Sequence, residues 1–380
     1  MDTGMAIARE AQGERNDAIR VMIVDDSAVI RGLITKFLEA DSRLKVVATS
    51  SNGLIATQSI ARANPDVVVL DIEMPIMDGI TALPKLLAAR PGVAIIIAST
   101  LSQIGAEVSL QALALGAADY VPKPAASRLG SNEEFRRDLL ERVLQLGGRV
   151  RARRQSVEGP QRAPVVGRVA PKPAGSAPVV LRKPGTLTPQ ILAIGSSTGG
   201  PQALNTVLKD FPASLKMPIV ITQHMPPTFT AILAQHIAKA SGWACHEAVE
   251  GEIIAPGVIY VAPGDRHLTF ERKPTGVIAH LTNDPPENFC RPAVDPMLRS
   301  LVRAYGARVF TVVLTGMGSD GLKGAREVIA AGGTVIAQDE PTSVVWGMPG
   351  AVTGAGLCAA VLPLPEIARY VVGTFTGRGP

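Results

Sequence analysis

The sequence predicts an α/β protein built as two doubly wound parallel-sheet domains in tandem. Three observations carry that expectation. Helix-period stretches alternate with short Val/Ile-rich runs almost throughout, the pattern of strand–helix repeats on a parallel sheet. The 380 residues are enough for two domains, each with its own core. Between the halves, Gly147 to Pro189 turns rich in Arg, Pro, Gly and Ser with no sustained apolar period, which reads as an extended linker. A hydrophobic content of 46% against 19% charged residues excludes a wholly disordered chain.

Residues 1–20 are polar and mixed in charge, and lack the apolar core of a signal peptide, so a disordered tail is expected. From residue 21 to 146 five strands are predicted, VMIVDD, LKVVATS, DVVVLDI, VAIIIAS and ADYVP. Helical patterns such as SAVIRGLITKFLEA and SQIGAEVSLQALALG lie between them. Pro84 inside the third helical pattern should kink or shorten that helix. The ends of the first and third strands carry Asp25, Asp26 and Asp71. Three carboxylates on one sheet edge repel unless a cation sits among them, and magnesium suits so few carboxylates plus water and a phosphoryl group. Lys123, after the fifth strand, supplies a fixed ammonium. A single aspartate at a strand end would be read as a helix cap. The cluster with Lys123 favours the cation.

The linker holds nine Lys/Arg against Glu158, a net of +8. The whole chain carries +5, which leaves −3 elsewhere. The basicity therefore belongs to a connector, and nucleic acid is not an expected partner, since no aromatic-studded basic face accompanies it. Cys245, Cys290 and Cys358 lie too far apart for a disulfide framework or a zinc site and read as buried small hydrophobes. No apolar run is long enough to span a membrane.

The second domain, residues 190–378, opens on QILAIGSSTGGP, a buried strand breaking into a tight turn with a helix starting near Pro201. Such a turn exposes a hydroxyl at a strand's carboxyl end, where open α/β sheets build sites. MPIVITQ delivers His224 in the same way, and RVFTVVL is followed by Thr315 to Gly321, which includes Asp320. If the three strands are parallel neighbours, a hydroxyl, a base and a carboxylate share one rim, the set that nucleophilic acyl transfer needs. From Trp243 to Leu281, VIYVAPG, HLTFERK and GVIAHLT read as short antiparallel strands folded over one edge of the sheet, with Lys273 to Gly276 as a turn. GLKGAREVIAAGG is a glycine-ended helix, TVIAQDE a strand and LPEIARYVVGTF a closing helix.

Residues 21–146 resemble a response-regulator receiver domain through Asp25–Asp26, Asp71 followed by MPIMDG, a hydroxyl after the fourth strand, and Tyr120-Val-Pro-Lys123-Pro. The second domain resembles the catalytic domain of the chemotaxis protein-glutamate methylesterases, the CheB family, through AIGSSTGGP, ITQHMPPTFT, VAPGDRHL, RPAVDPM and LTGMGSDG. The resemblance implies a flavodoxin-like receiver followed by a Rossmann-like α/β hydrolytic domain with a β-hairpin insert. It implies phosphorylation on Asp71, with Mg²⁺ held by Asp26, Asp71 and the backbone carbonyl of Glu73, and with Asp25 assisting. Ser99 and Lys123 would contact the phosphoryl group, Thr100 being the alternative to Ser99, and Tyr120 would be the aromatic switch.

In the second domain the resemblance makes Ser197 the nucleophile, with Ser196 as competitor, His224 the base and Asp320 its orienter. Thr198 and Met317 sit next to the expected reacting carbonyl, where their backbone N–H groups would form an oxyanion hole. His267 would line the substrate groove, and Arg291 would orient an acidic substrate or anchor a loop. The implied activity is a phosphorylation-activated hydrolysis of glutamyl methyl esters, with glutamine deamidation, on the cytoplasmic helices of chemotaxis receptors. A chemotaxis histidine kinase would be the phosphodonor, no cofactor would serve the hydrolytic step, and the protein would be cytoplasmic and monomeric. Two other classes compete: a non-catalytic regulator whose glycine-rich turn binds a nucleotide or partner, and a nucleic-acid binder using the linker.

Overall fold

The computed structural model describes residues 18–100, 102–123, 131–158 and 180–377, and the chain divides into two compact units, residues 1–166 and 167–380. In the first, β1 (Ile19–Val24), β2 (Leu44–Ser50), β3 (Val67–Asp71), β4 (Ala94–Ser99) and β5 (Asp119–Pro122) form one sheet in the order β2-β1-β3-β4-β5, every pairing parallel. The central strands are continuous apolar runs because both faces are covered: every residue of β3 and β4 is buried. The helices α1 (Ala28–Glu39), α2 (Gly53–Ala63), α3 (Gly79–Ala89) and α4 (Gln103–Ala114) follow β1 to β4 in turn. Each starts on a polar cap, Ser27, Asn52, Asp78 or Ser102, whose side-chain oxygen accepts a first-turn backbone N–H. The strand order reverses between β1 and β3, and that switch point brings Asp25, Asp26 and Asp71 to one crevice.

Pro84 sits inside α3, which continues to Ala89, so of the two expected effects shortening does not occur. The linker expectation needs correction. The long helix α5 (Ser131–Glu158) runs twelve residues into the stretch read as an extended linker. Val143 and Leu146 are buried, and the Arg154 guanidinium meets the buried Asp66 carboxylate at 2.8 Å and donates to the Pro65 carbonyl at 3.2 Å. Four of the nine basic residues, Arg149, Arg151, Arg153 and Arg154, therefore lie on this helix. At the other end of the stretch, Arg182 donates from its backbone to Cys358 and from Nε to Gly356, which ties residues near 180 to the second unit. What remains of the predicted linker, 159–179, lies outside the described residues, as does the tail 1–17.

The second unit holds seven parallel strands in the order β14-β13-β12-β6-β7-β9-β8. They are β6 (Ile191–Ser196), β7 (Ile219–Gln223), β8 (Ala244–Glu247), β9 (Val258–Val261), β12 (Val309–Val313), β13 (Thr334–Gln338) and β14 (Ala360–Leu362). β6 is the centre, flanked by β12 and β7, with Val313 opposite Gly195 and Ser196 opposite Gln223. The antiparallel reading of VIYVAPG is overturned: β9 pairs parallel with β7 and β8 inside the main sheet. An apolar run buried on both faces carries no alternation, so its sequence does not distinguish the two orientations. Only β10 (His267–Lys273) and β11 (Gly276–Thr282) form the predicted hairpin, closed by Lys273 opposite Gly276.

The helices are α6 (Gly200–Leu208), α7 (Phe229–Ser241), α8 (Val294–Tyr305), α9 (Leu322–Ala330), α10 (Met348–Gly354) and α11 (Leu364–Phe375). α8 buries Val294, Met297, Leu298, Leu301 and Ala304, one helical face. That face joins the core formed with Val313, Leu268 and Ala279.

Candidate functional site

The crevice of the first unit is a cavity of about 210 Å³ lined by Asp26, Asp71, Glu73, Ser99, Thr100 and Lys123 among others. Lys123 follows β5, and its backbone N–H donates to Ser99. Its ammonium lies 2.7 Å from both Asp25 and Asp71. Burial lifts the Asp71 carboxyl above the usual carboxylate range; Lys123 opposes that shift and Asp25 adds to it. Burial would lower Lys123, but the two flanking carboxylates hold it above its ordinary value. One oxygen each from Asp25, Asp26 and Asp71 lie within 4.8 Å of one another. Magnesium takes oxygen ligands and few protein carboxylates, and three converging carboxylate oxygens are the donor type it needs. Ser99 is buried with its hydroxyl on the Gly105 carbonyl, whereas Thr100 is exposed and contacts Ser102. Tyr120 is buried, and its phenol is pushed up by desolvation.

In the second unit the order β12-β6-β7 places three loops side by side. His224 donates its backbone N–H to the Ser196 carbonyl at 3.1 Å, and Ser197 donates its own to Thr315 at 3.0 Å, so the turn is held from both sides. Gly199 takes φ 75° to start α6, a left-handed conformation suited to glycine. A Cβ on Gly316 would stand 2.8 Å from that of Ser197, so the neighbouring loop can approach the serine only without a side chain there. Ser196 is fully buried and donates to Gln223 Oε1 at 2.7 Å, and Gln223 returns Nε2 to the Ser197 carbonyl at 2.9 Å. The competing serine is thus part of the scaffold, and Ser197, half-buried, is the one that reaches the rim.

His224 Nε2 and Asp320 Oδ2 are 2.7 Å apart. Asp320, 1% exposed, also accepts Val294 N–H on Oδ2, and Asp295 N–H, Gly321 N–H and Asn288 Nδ2 on Oδ1. Burial would raise its pKa, but His224 and those amides hold it below the usual carboxylate range. Asp295, next to it, is pushed the other way by burial and by the Asp320 charge. The second nitrogen of His224, Nδ1, faces Cys290 Sγ at 3.3 Å. Among the described residues no hydrogen bond joins the Ser197 hydroxyl to His224. Catalytic hydrogen bonds are often long without substrate.

The groove assignment of His267 needs correction. His267 is 1% exposed, which leaves it no surface with which to line a groove. Its Nδ1 accepts Ala293 N–H and its Nε2 meets the Pro285 carbonyl, both at 3.2 Å, so it clamps the loop before α8. Arg291 directs Nε and Nη2 to Asp265 and Nη1 to the carbonyls of Asn283 and Asp284, contacts that support the loop-anchor reading of the two. Thr198 is buried and Met317 half-buried, on the two loops that border Ser197. Asn288, Cys290 and Asp295 were not anticipated, although all three lie within or beside the RPAVDPM segment.

A family model described as CheB methylesterase matches residues 192–371, and one described as response regulator receiver domain matches residues 21–131. The protein-glutamate methylesterase/protein-glutamine glutaminase 1 of Paramagnetospirillum magneticum is 53% identical, covering 96% of this chain and 98% of that protein. The chain belongs to the CheB methylesterase family. A second CheB-family relative, the protein-glutamate methylesterase/protein-glutamine glutaminase of Azospirillum brasilense, is 52% identical over 93% of this chain and 92% of its own. Among solved structures, the Thermotoga maritima CheB methylesterase catalytic domain is 42% identical, covers 49% of this chain and 98% of that domain, and has a TM-score of 0.48.

The electrostatics of this CheB-family site lead to a pH dependence. Burial would lower the His224 pKa, but Cys290 and Asp320 on its two nitrogens raise it above the ordinary imidazole value. A base must be neutral to accept a proton, so a raised pKa moves the onset of activity to higher pH. The acid limb of kcat/KM for ester hydrolysis is expected above about pH 6.5, the unperturbed midpoint. A pH–rate profile with that limb at or below 6.5 would contradict the assignment.

Proposed function

We propose that the chain is a phosphorylation-controlled serine hydrolase that removes methyl groups from glutamyl γ-methyl esters on the cytoplasmic helices of chemotaxis receptors. The observation that carries this reading is the 2.7 Å contact between His224 and the buried Asp320, on loops adjoining the half-buried Ser197. The names and near-full coverage of the relatives support the substrate class.

In the proposed cycle Ser197 Oγ attacks the ester carbonyl as His224 takes the hydroxyl proton, and Asp320 stabilises the imidazolium that forms. Backbone N–H groups of Thr198 and Met317 are the proposed donors to the oxyanion. His224 returns the proton to the leaving methoxide, methanol departs, and water attacks the acyl-enzyme with His224 again as base. Glutamate and free Ser197 result. A glutamine side chain follows the same path with ammonia as leaving group.

Phosphorylation is proposed on Asp71, with a histidine kinase as donor. Asp26, Asp71 and the Glu73 carbonyl would hold Mg²⁺, which neutralises the oxygens of the transferring phosphoryl group when bound. Lys123 would pair with the phosphate, a reading its 2.7 Å contact with Asp71 supports, and Ser99 or Thr100 would donate to it. No link between the magnesium and the ester chemistry is proposed.

The test is methanol release from methylated receptor, with and without a small-molecule phosphodonor. Stimulation by the donor is expected in the wild type and none in Asp71→Asn, with basal turnover retained. EDTA should remove the stimulation and leave basal turnover in place. Loss of basal turnover in EDTA would overturn the assignment of the metal to the receiver alone.

A further inference from the structure

The imidazole of His224 has two nitrogens, and both are occupied. Nε2 meets Asp320 at 2.7 Å and Nδ1 faces Cys290 Sγ at 3.3 Å. The nitrogen that Ser197 would need for proton transfer is therefore the one the thiol covers. We propose that Cys290 is a brake and a covalent-modification site for soft electrophiles: its sulfur competes with the Ser197 hydroxyl for Nδ1 of His224, and capping the sulfur stops ester hydrolysis. The proposal rests on the reading of Ser197, His224 and Asp320 as the hydrolytic set.

The thiol is held in place by its loop. Glu287 and Cys290 exchange backbone hydrogen bonds at 3.1 and 2.9 Å, and Arg299 grips Glu287 with two bonds of 2.8 and 2.6 Å. Asn288 donates to both Asp320 and Asp295, at 2.9 and 3.0 Å, so the residue two before the thiol is tied to the catalytic carboxylate. Arg291 and His267 fix the flanks of the same loop.

Cys290, His224 and Asp320 thus form a thiol–imidazole–carboxylate series, the arrangement that activates cysteine as a nucleophile. Among the described residues neither of the other two cysteines has such a partner. Burial pushes the thiol of Cys245 up to about 12 and that of Cys358 up to about 11; Cys245 and Cys290 are both half-exposed, and what sets Cys290 apart is the imidazole beside it. The titratable groups around His224 are Cys290 and Asp320 in contact, Asp295 behind Asp320, and Glu287 on the loop. Glu287 is balanced by Arg299 and by Lys323 at 3.9 Å.

With iodoacetamide as probe, the Cys290 proton passes to Nδ1 of His224, the thiolate sulfur forms a C–S bond to the methylene carbon, and iodide leaves with the bonding pair. The thioether and its amide then occupy the space at Nδ1. Site-resolved mass spectrometry on the full chain should show Cys290 alkylated at least about tenfold faster than Cys245 or Cys358, because a base stands 3.3 Å from its sulfur to take the proton. Ester hydrolysis should fall in step with that label. Cys290→Ala should resist the inhibitor and move the acid limb of kcat/KM to lower pH, because the imidazolium loses one stabilising neighbour. Turnover below the limb then rises about tenfold for each unit moved.

Two further variants separate causes. His224→Gln should slow Cys290 labelling to the rate of the other cysteines. Ser197→Ala should still label at Cys290; a surviving esterase there would refute the serine nucleophile, and with it the competition at Nδ1, whereas loss of Cys290 labelling there with esterase lost would overturn the thiol proposal alone. The proposal is overturned by full labelling with intact hydrolysis, by equal labelling of the three cysteines, or by an unmoved acid limb in Cys290→Ala.

Discussion

Ser197→Ala is expected to lower methyl-ester hydrolysis by roughly 10³- to 10⁶-fold while Asp71 is phosphorylated at the wild-type rate. The magnitude follows from loss of the covalent route, since removing the nucleophile of a serine–histidine–carboxylate set leaves only binding and oxyanion stabilisation. The stability cost should be small. Ser197 reaches the rim half-buried, and its scaffold bonds, to Thr315, Gly200 and Gln223, all use its backbone. The contrast is Ser196→Ala. Its hydroxyl is fully buried on Gln223, which in turn holds the carbonyls of Ser197 and His224. That change leaves a buried acceptor unpaired, a cost of about 1–3 kcal/mol in stability. Methanol release and thermal melting of both variants check the assignment. If Ser196→Ala loses turnover with an unchanged melt while Ser197→Ala keeps it, the nucleophile has been assigned to the wrong serine.

Much of this site was legible because parallel α/β sheets gather chemistry at strand ends. Ser197 and His224 each lie one residue past a buried strand, and Asp320 lies in the loop after β12, so the sequence positions imply neighbours once β12, β6 and β7 are adjacent. The receiver crevice was legible for the same reason: Asp26, Asp71, Glu73, Ser99, Thr100 and Lys123 all line it. What could not be read depends on side-chain direction. His267 and Arg291 are polar residues in a loop-rich region, and nothing in their spacing says that their rings and forks turn back onto the backbone of 283–293. Cys290 looked like a small hydrophobe because its partner, His224, is 66 positions away. The end of the first unit was misread for a different reason. Arg-rich sequence after Gly147 resembles linker, but Arg154 continues a helix by reaching the buried Asp66.

Asp320→Asn should reduce turnover by about 10³- to 10⁴-fold, and unlike the serine change it should also destabilise the hydrolytic unit. A carboxylate here accepts from five donors: His224 Nε2 and Val294 N–H on one oxygen, Asn288 Nδ2, Asp295 N–H and Gly321 N–H on the other. An amide has a single oxygen, so one of the two groups of donors must face an NH₂. If the NH₂ faces Nε2, His224 is forced into the tautomer with its proton on Nδ1, and the base function is lost, the origin of the loss of about 10⁴ seen for this change in other triads. If it faces the other three donors, each confronts another donor in a buried site, and the penalty falls on folding at about 1–3 kcal/mol per unpaired group. Either orientation also removes the negative charge that holds up the His224 pKa, so the acid limb of any residual activity should move to lower pH. The measurements are kcat/KM against pH and the melting temperature of the variant. Turnover within tenfold of wild type would show that Asp320 does not orient the base, and an unmoved limb would show that its charge is not felt at His224.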